Sequence, residues 1–210
     1  MYLPSAFRLD DLGTLHEEID KARLATVVSH GASGLQATPL PLLLVREEGQ
    51  YGTLYGHLAR ANPHWRDWQD GNQALVMFNT ADGYISPAWY PAKAEHGKVV
   101  PTWNYISIQA RGPIELFDDP QRLLQLVSRL SDKHEASRAQ PWSVTDAPAD
   151  YIDKMLRAIV GFALPIEQLE GKYKLSQNRD IADRQGVHAG LQNSVDLRDQ
   201  LLAGRMPNSD

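Results

Sequence analysis

The stretch GHLARANPHW, Gly56 to Trp65, places a histidine, an arginine and an asparagine close together at His57, Arg60 and Asn62. A strand-like run, Tyr51 to Tyr55, precedes it. Asn62-Pro63 reads as a helix start, with Asn as N-cap and Pro at the first helical position. Free N–H groups and the positive end of a helix dipole at such a point favour an anion. The Arg60 guanidinium adds a fork of donors suited to phosphate or carboxylate. The plainer alternative is that Arg60 is solvated, His57 bonds a neighbouring carbonyl and Asn62 only caps. No Walker-type loop decides between them, and local physics leaves both open.

Other stretches carry chemistry of different kinds. Trp89, Tyr90, Trp103 and Tyr105 lie close in sequence within Ile85–Tyr105, among three prolines. Aromatics in a stiff loop either stack on a planar ligand, seal a subunit interface, or cover a barrel end. Lys172 and Lys174 alternate on one face of a strand, with Gln177, Asn178 and Arg179 just beyond. They form either a local positive patch on an acidic protein or a solvated strand end. His134-Glu135 lacks the second histidine of an H-E-x-x-H motif, so no metal site is expected. No G-x-G-x-x-G, nucleophile elbow or paired-carboxylate pattern stands out.

The elements that must position these residues change character along the chain. The first half reads mainly as strands: Leu24–Ser29, Leu35–Val45, then YGTLYGH, Ala74–Thr80, a start at Tyr84–Ser86, and Thr102–Phe117 bent at Gly112-Pro113. Between the third and fourth, NPHWRDWQDG is a short helix ended by Gly71. Asp119-Pro120 caps a helix with Leu123, Leu124, Val127 and Leu130 on one apolar face. APADYIDKMLRAI is a second helix, with Tyr151, Met155 and Ile159 at helical spacing. VGFALPIEQLEGKYKLS returns to strand, and the chain closes with a helical tail. Strands joined by tight turns are usually antiparallel. Six or seven of them predict an α+β protein built on a small closed or split β-barrel with peripheral helices.

The composition fits one such domain. The chain has 210 residues, a formal net charge of −5 and no cysteine. The overall field opposes nucleic acid, though a local basic face could still bind it. Disulfides and thiolate sites are excluded, which suits the cytoplasm. No window approaches the ~20 apolar residues of a membrane span.

Taken in order, MYLPSAFRLDD, ATPLPLLL, GHLARANPHW, YISPAWYPAK with VVPTWNY, the HE before a downstream Pro-Trp, and AIVGFALPIEQLEGKYKLSQNR resemble the PaiB-like family. These are FMN-binding split-barrel proteins of bacteria described as negative transcriptional regulators, and the likeness covers nearly the whole chain. The resemblance implies an antiparallel split barrel of the pyridoxamine-phosphate-oxidase type over residues 1–178. Residues 179–210 would then be a helical tail packed on the same domain. It implies a homodimer with FMN in the groove between subunits. The phosphate would be held around the turn after the third strand by His57, Arg60 and Asn62. The ring would lie near Thr38, Pro39, Leu40, Gly56 and Leu58. The second subunit would close the pocket with Trp103, Asn104, Lys172, Lys174, Ser176 and Gln177. The resemblance leaves three outputs open: a flavin-linked regulator touching DNA indirectly or through Lys172, Lys174 and Arg179; an FMN-dependent oxidoreductase using NAD(P)H; or a variant barrel that binds no cofactor, or haem with His57, His64, His96 or His134 as axial ligand.

Overall fold

A computed structural model describes residues 1–32, 34–68 and 72–207. In chain order the strands are β1 (Arg8–Leu9), β2 (Ala25–Gly31), β3 (Gly34–Leu40), β4 (Leu43–Val45), β5 (Thr53–Ala59), β6 (Gln73–Ile85), β7 (Thr102–Pro113), β8 (Glu115–Phe117), β9 (Ile159–Pro165) and β10 (Gln168–Lys174). The helices are α1 (Leu12–Lys21), α2 (Ala92–His96), α3 (Pro120–Glu135), α4 (Ala149–Leu156), α5 (Ile181–Gln192) and α6 (Leu197–Ala203). The chain divides into two compact units: residues 1–18, 79–108 and 170–210 form unit one, and residues 19–78 and 109–169 form unit two.

In unit two, β7, β6, β2 and β3 lie side by side in that order, and a second sheet runs β4-β5-β9-β8. The β2–β3 pair is antiparallel with Val27 opposite Thr38, and β5 runs antiparallel to β9 with His57 opposite Gly161. Alternation along β5 sends Leu54 and Leu58 into the core and leaves Tyr55 and His57 half-buried on the other face. Helix α3 covers part of this unit with Leu123, Leu126 and Leu130, which pack with Leu43, Phe117 and Leu156. The stripe is i, i+3, i+7, so Leu124 falls off it and is 38% exposed. In α4 the buried positions are Leu156 and, in part, Ile152, whereas the expected Tyr151 and Met155 face outward. Met155 and Ile159 never share a helical face, because α4 ends at Leu156 and Ile159 starts β9.

In unit one, β1, β10, β7 and β6 lie side by side. Ile85, Ile106 and Leu175 pack with Val187 and Leu191 of α5 and with Leu202 of α6. Glu18 is fully buried and forms an ion pair with Arg205 just after α6. Thr80 also donates to it at 2.8 Å.

Several boundaries differ from the sequence reading. The run Leu35–Val45 is two strands, because the chain leaves β3 after Leu40 and resumes at Leu43. The two expected strands at Ala74–Thr80 and Tyr84–Ser86 are one, since Ala81-Asp82-Gly83 continues β6 rather than turning. The single strand expected over Thr102–Phe117, bent at Gly112-Pro113, is two: β7 ends at Pro113, and β8, which begins at Glu115, belongs to the other sheet. A Cβ on Gly112 would strike the Pro165 carbonyl oxygen, so backbone approaches backbone closely there. The helix stop expected at Gly71 lies outside the described residues. None of the helices among the described residues is long and apolar enough to cross a membrane.

Candidate functional site

The turn after β5 is tightly built. The Asn62 N–H donates to Ala59 and closes the turn, and Asn62 Oδ1 accepts from the His64 N–H at 3.0 Å. Asn62 therefore caps as expected. The element it caps is a six-residue 3-10 helix, Pro63–Trp68, rather than an α-helix. Its brevity gives little dipole, so the anion reading here depends on side chains.

Arg60 is anchored. Its Nε donates to the Arg157 carbonyl at 3.1 Å and its Nη2 to the Ile159 carbonyl at 3.1 Å. These bonds satisfy acceptors left open beyond α4. Asp118 lies 3.8 Å from Nη2. Nη1 makes no bond among the described residues. The same side chain lines a groove of about 610 Å³ with Asp118, Leu123, Asp153 and Arg157. Two cations and two carboxylates balance there, so an anion would be held by directed hydrogen bonds rather than by a net field.

His57 carries the clearest unmet group. Its Nδ1 is buried with no hydrogen-bond partner among the described residues. Burial pushes its pKa below the usual histidine range, which keeps the ring neutral. A buried polar atom without a partner costs free energy and in native proteins calls for an explanation, such as a ligand or water.

The remaining strand residues divide by face. Leu40 and Leu58 are buried in the core. Gly56 is required by packing, since a Cβ there would meet the Leu42 and Phe162 side chains. Thr38 is half-buried on edge strand β3, and its Oγ1 lies 2.7 Å from His64 Nδ1; Pro39 is exposed on the opposite face. His64 is the residue that sequence reasoning underused. It has no exposed surface, its Nε2 is 2.8 Å from Ser29 Oγ, and its ring packs on Trp68 at 4.7 Å. With both ring nitrogens engaged, it is not an available haem ligand. The signal in the sequence was only a histidine one residue inside a helix start.

In unit one the expected cationic patch is internally engaged. Lys172 is buried, donates to the Tyr2 carbonyl at 3.0 Å and sits over the Tyr2 and Tyr105 rings. Lys174 donates to Thr102 Oγ1 at 2.5 Å and to the Trp103 carbonyl. Burial first, then the charges of Lys172 and Arg179, lower its pKa. Arg179 stacks over Tyr90. Asn104 and Ser176 form a buried pair at 3.0 Å, with Ser176 at φ 66°. Gln177 folds back on the chain before it, accepting from the Leu175 N–H and donating to the Tyr173 carbonyl. Trp103 is different: it is 49% exposed and stands edge-on to Tyr84, which is 47% exposed.

The unpartnered His57 nitrogen, the anchored guanidinium and the Thr38 hydroxyl are each of a type that can meet an anionic group or a ring acceptor, although the groove at Arg60 is lined by neither His57 nor Thr38. The family described as "Putative FMN-binding domain" matches residues 1–168. A Bacillus subtilis (strain 168) protein named protease synthase and sporulation protein PAI 2 is 31% identical over 206 residues, covering 98% of this chain and 96% of that protein. An uncharacterized Emericella nidulans protein, AN0679, is 33% identical over 190 residues, covering 76% of each chain. Among solved structures, the FAD and heme binding protein from Mycobacterium smegmatis aligns with TM-score 0.57 at 21% identity, covering 80% of this chain and 73% of that one. The flavocytochrome Anf3 from Azotobacter vinelandii aligns with TM-score 0.57 at 16% identity, covering 80% and 69%. These structures share the fold, the α+β antiparallel split barrel expected from the sequence. The family match and the relative spanning almost the whole chain make the conclusion plain: this chain belongs to the PaiB-like family of FMN-binding proteins.

Proposed function

We propose that this protein is a cytoplasmic homodimer that holds FMN and couples its occupancy or redox state to repression of genes. The observation that carries the flavin seat is the buried His57 Nδ1 without a partner, three residues before the anchored Arg60. Arg60 Nη1 and Asn62 Nδ2 complete a donor set for the phosphate. Fixing Arg60 at two nitrogens lowers the entropy lost when the third meets an anion. Thr38 and Pro39 flank the ring. The edge-on pair Tyr84 and Trp103 supports a subunit or ligand contact, being apolar surface with polar tips. Bound flavin supplies reversible one- or two-electron transfer.

The relative named a protease synthase and sporulation protein spans the chain, and with the regulator label of the family it supports an output in gene control. Lys172 and Lys174 are engaged within unit one, and the formal net charge is −5, which supports indirect rather than direct contact with an operator. The absorbance spectrum of the purified protein, followed by FMN titration, is the test. A flavin band and saturable binding are expected. A Soret band, or no binding of FMN, removes the reading. Anaerobic mixing with NADH or NADPH separates the oxidoreductase alternative, which requires bleaching of the flavin by at least one of them.

A further inference from the structure

His64 is a fully buried titratable group that the proposed phosphate contacts do not use. Its two ring nitrogens each meet a hydroxyl, Nε2 with Ser29 Oγ at 2.8 Å and Nδ1 with Thr38 Oγ1 at 2.7 Å. Ser29 is also buried, and Trp68 Nε1 lies 2.8 Å from its Oγ. An indole N–H can only donate. Ser29 Oγ therefore accepts from Trp68, and the acceptor within reach of its own proton is His64 Nε2. That contact places the imidazole proton on Nδ1, which donates to Thr38 Oγ1. The Thr38 hydroxyl is left with a proton and no acceptor among the described residues. Donation thus runs one way, from Trp68 through Ser29 and His64 to Thr38, and each bond in such a chain polarises the next. Burial keeps the ring neutral against the nearby Asp67 carboxylate, so the order is not scrambled by protonation. On the sheet side the residues facing the ring are hydroxyls, and the nearest carboxylate, Asp67, is held by Gln36 Nε2 at 2.6 Å.

We propose that His64 is a positioning residue that makes the Thr38 hydroxyl an outward hydrogen-bond donor to an acceptor atom of the bound flavin ring. A purely structural role would need only satisfied partners. The relay adds a direction: it fixes the half-buried Thr38 hydroxyl as a donor on an edge strand, where a ring acceptor can replace water. The inference rests on the reading that the flavin ring lies along Thr38 and Pro39.

Two measurements test it. First, 15N NMR of the imidazoles in the unmodified protein should show His64 protonated at Nδ1; the Nε2-protonated form overturns the relay. Second, FMN dissociation constants and the flavin absorption band are compared across Thr38→Val, His64→Gln, His64→Asn and the Thr38→Val/His64→Gln double variant, with thermal melts to confirm folding. Gln can reach Ser29 but not Thr38, whereas Asn offers an N–H near the position of Nδ1. Loss of one neutral hydrogen bond predicts a roughly fivefold weaker Kd for Thr38→Val and His64→Gln, with the same band shift in each. His64→Asn should stay within about twofold of the parent, and the double variant should match Thr38→Val alone. A folded His64→Gln protein with parental Kd and band overturns the relay. If Thr38→Val also binds as the parent does, the flavin placement along Thr38 falls with it. If only Thr38→Val weakens binding, the placement stands and the relay alone fails.

Discussion

At the scale of single residues, anchoring decides what Arg60 can do. Two of its nitrogens serve the carbonyls of Arg157 and Ile159, so truncation removes a structural cap as well as the proposed phosphate donor. Arg60→Ala should weaken FMN binding by roughly 1.5–3 kcal/mol, the worth of a charge-assisted bond, measured by flavin fluorescence titration. It should also lower the melting temperature. Removing the opposing carboxylate acts the other way: Asp118→Asn should tighten FMN binding modestly, and more at low salt. Acid should act through the buried histidines. The unfolded chain takes up protons near the ordinary histidine pKa of 6.5, whereas the folded chain resists until lower pH at His57 and His64. Stability is therefore retained above 6.5, falls as pH drops below it, and levels off beneath the lowered folded values. Melts from pH 8 to 5 should show this decline, and His57→Gln should make it shallower. The capping role of Asn62 was legible from Asn-Pro alone. The anchoring of Arg60 was not, because its partners lie about a hundred residues away, just beyond α4 and at the start of β9.

At the scale of elements, α3 offers the sharpest contrast. Asp119 caps it by accepting from the Arg122 N–H at 2.8 Å, as its Asp-Pro start predicts. Leu123 is 1% exposed and Leu124 is 38% exposed. Leu123→Ala should cost roughly 2–5 kcal/mol of stability, and Leu124→Ala within about 0.5 kcal/mol, measured by urea unfolding. The strong strands at β2, β5 and β7 could be read from β-branched and alternating residues. Less visible were β1, with two residues, and α1, which carries Gly13 and Thr14 in its first turn. In Leu40–Val45 an almost continuous apolar run hides the break between β3 and β4, because periodicity cannot mark a boundary where every residue is apolar. Along β6 the Ala-Asp-Gly triplet reads as a turn, yet pairing within the sheet overrides that local preference.

At the scale of the whole molecule, the proposed homodimer predicts a solution mass near twice the 23.5 kDa chain by light scattering. If Tyr84 and Trp103 lie in that contact, Trp103→Glu should shift the protein to monomer and remove the concentration dependence of its melting temperature, while the half-exposed ring leaves the folded chain intact. The class of fold was legible because strand runs and turns are local signals. The division into two units was not, because each is assembled from separated segments.

That discontinuity sets the order of events during synthesis. Leu54 of β5 pairs with Leu164 of β9, so the strand leaves the ribosome about 110 residues before its neighbour exists. At ~5–20 residues per second, β5 waits roughly 5–20 s with one edge open. The interval is long enough for a holding chaperone to matter, and a mutation that slows pairing of β9 should lower soluble yield in the cell before it alters the melting point of the purified protein.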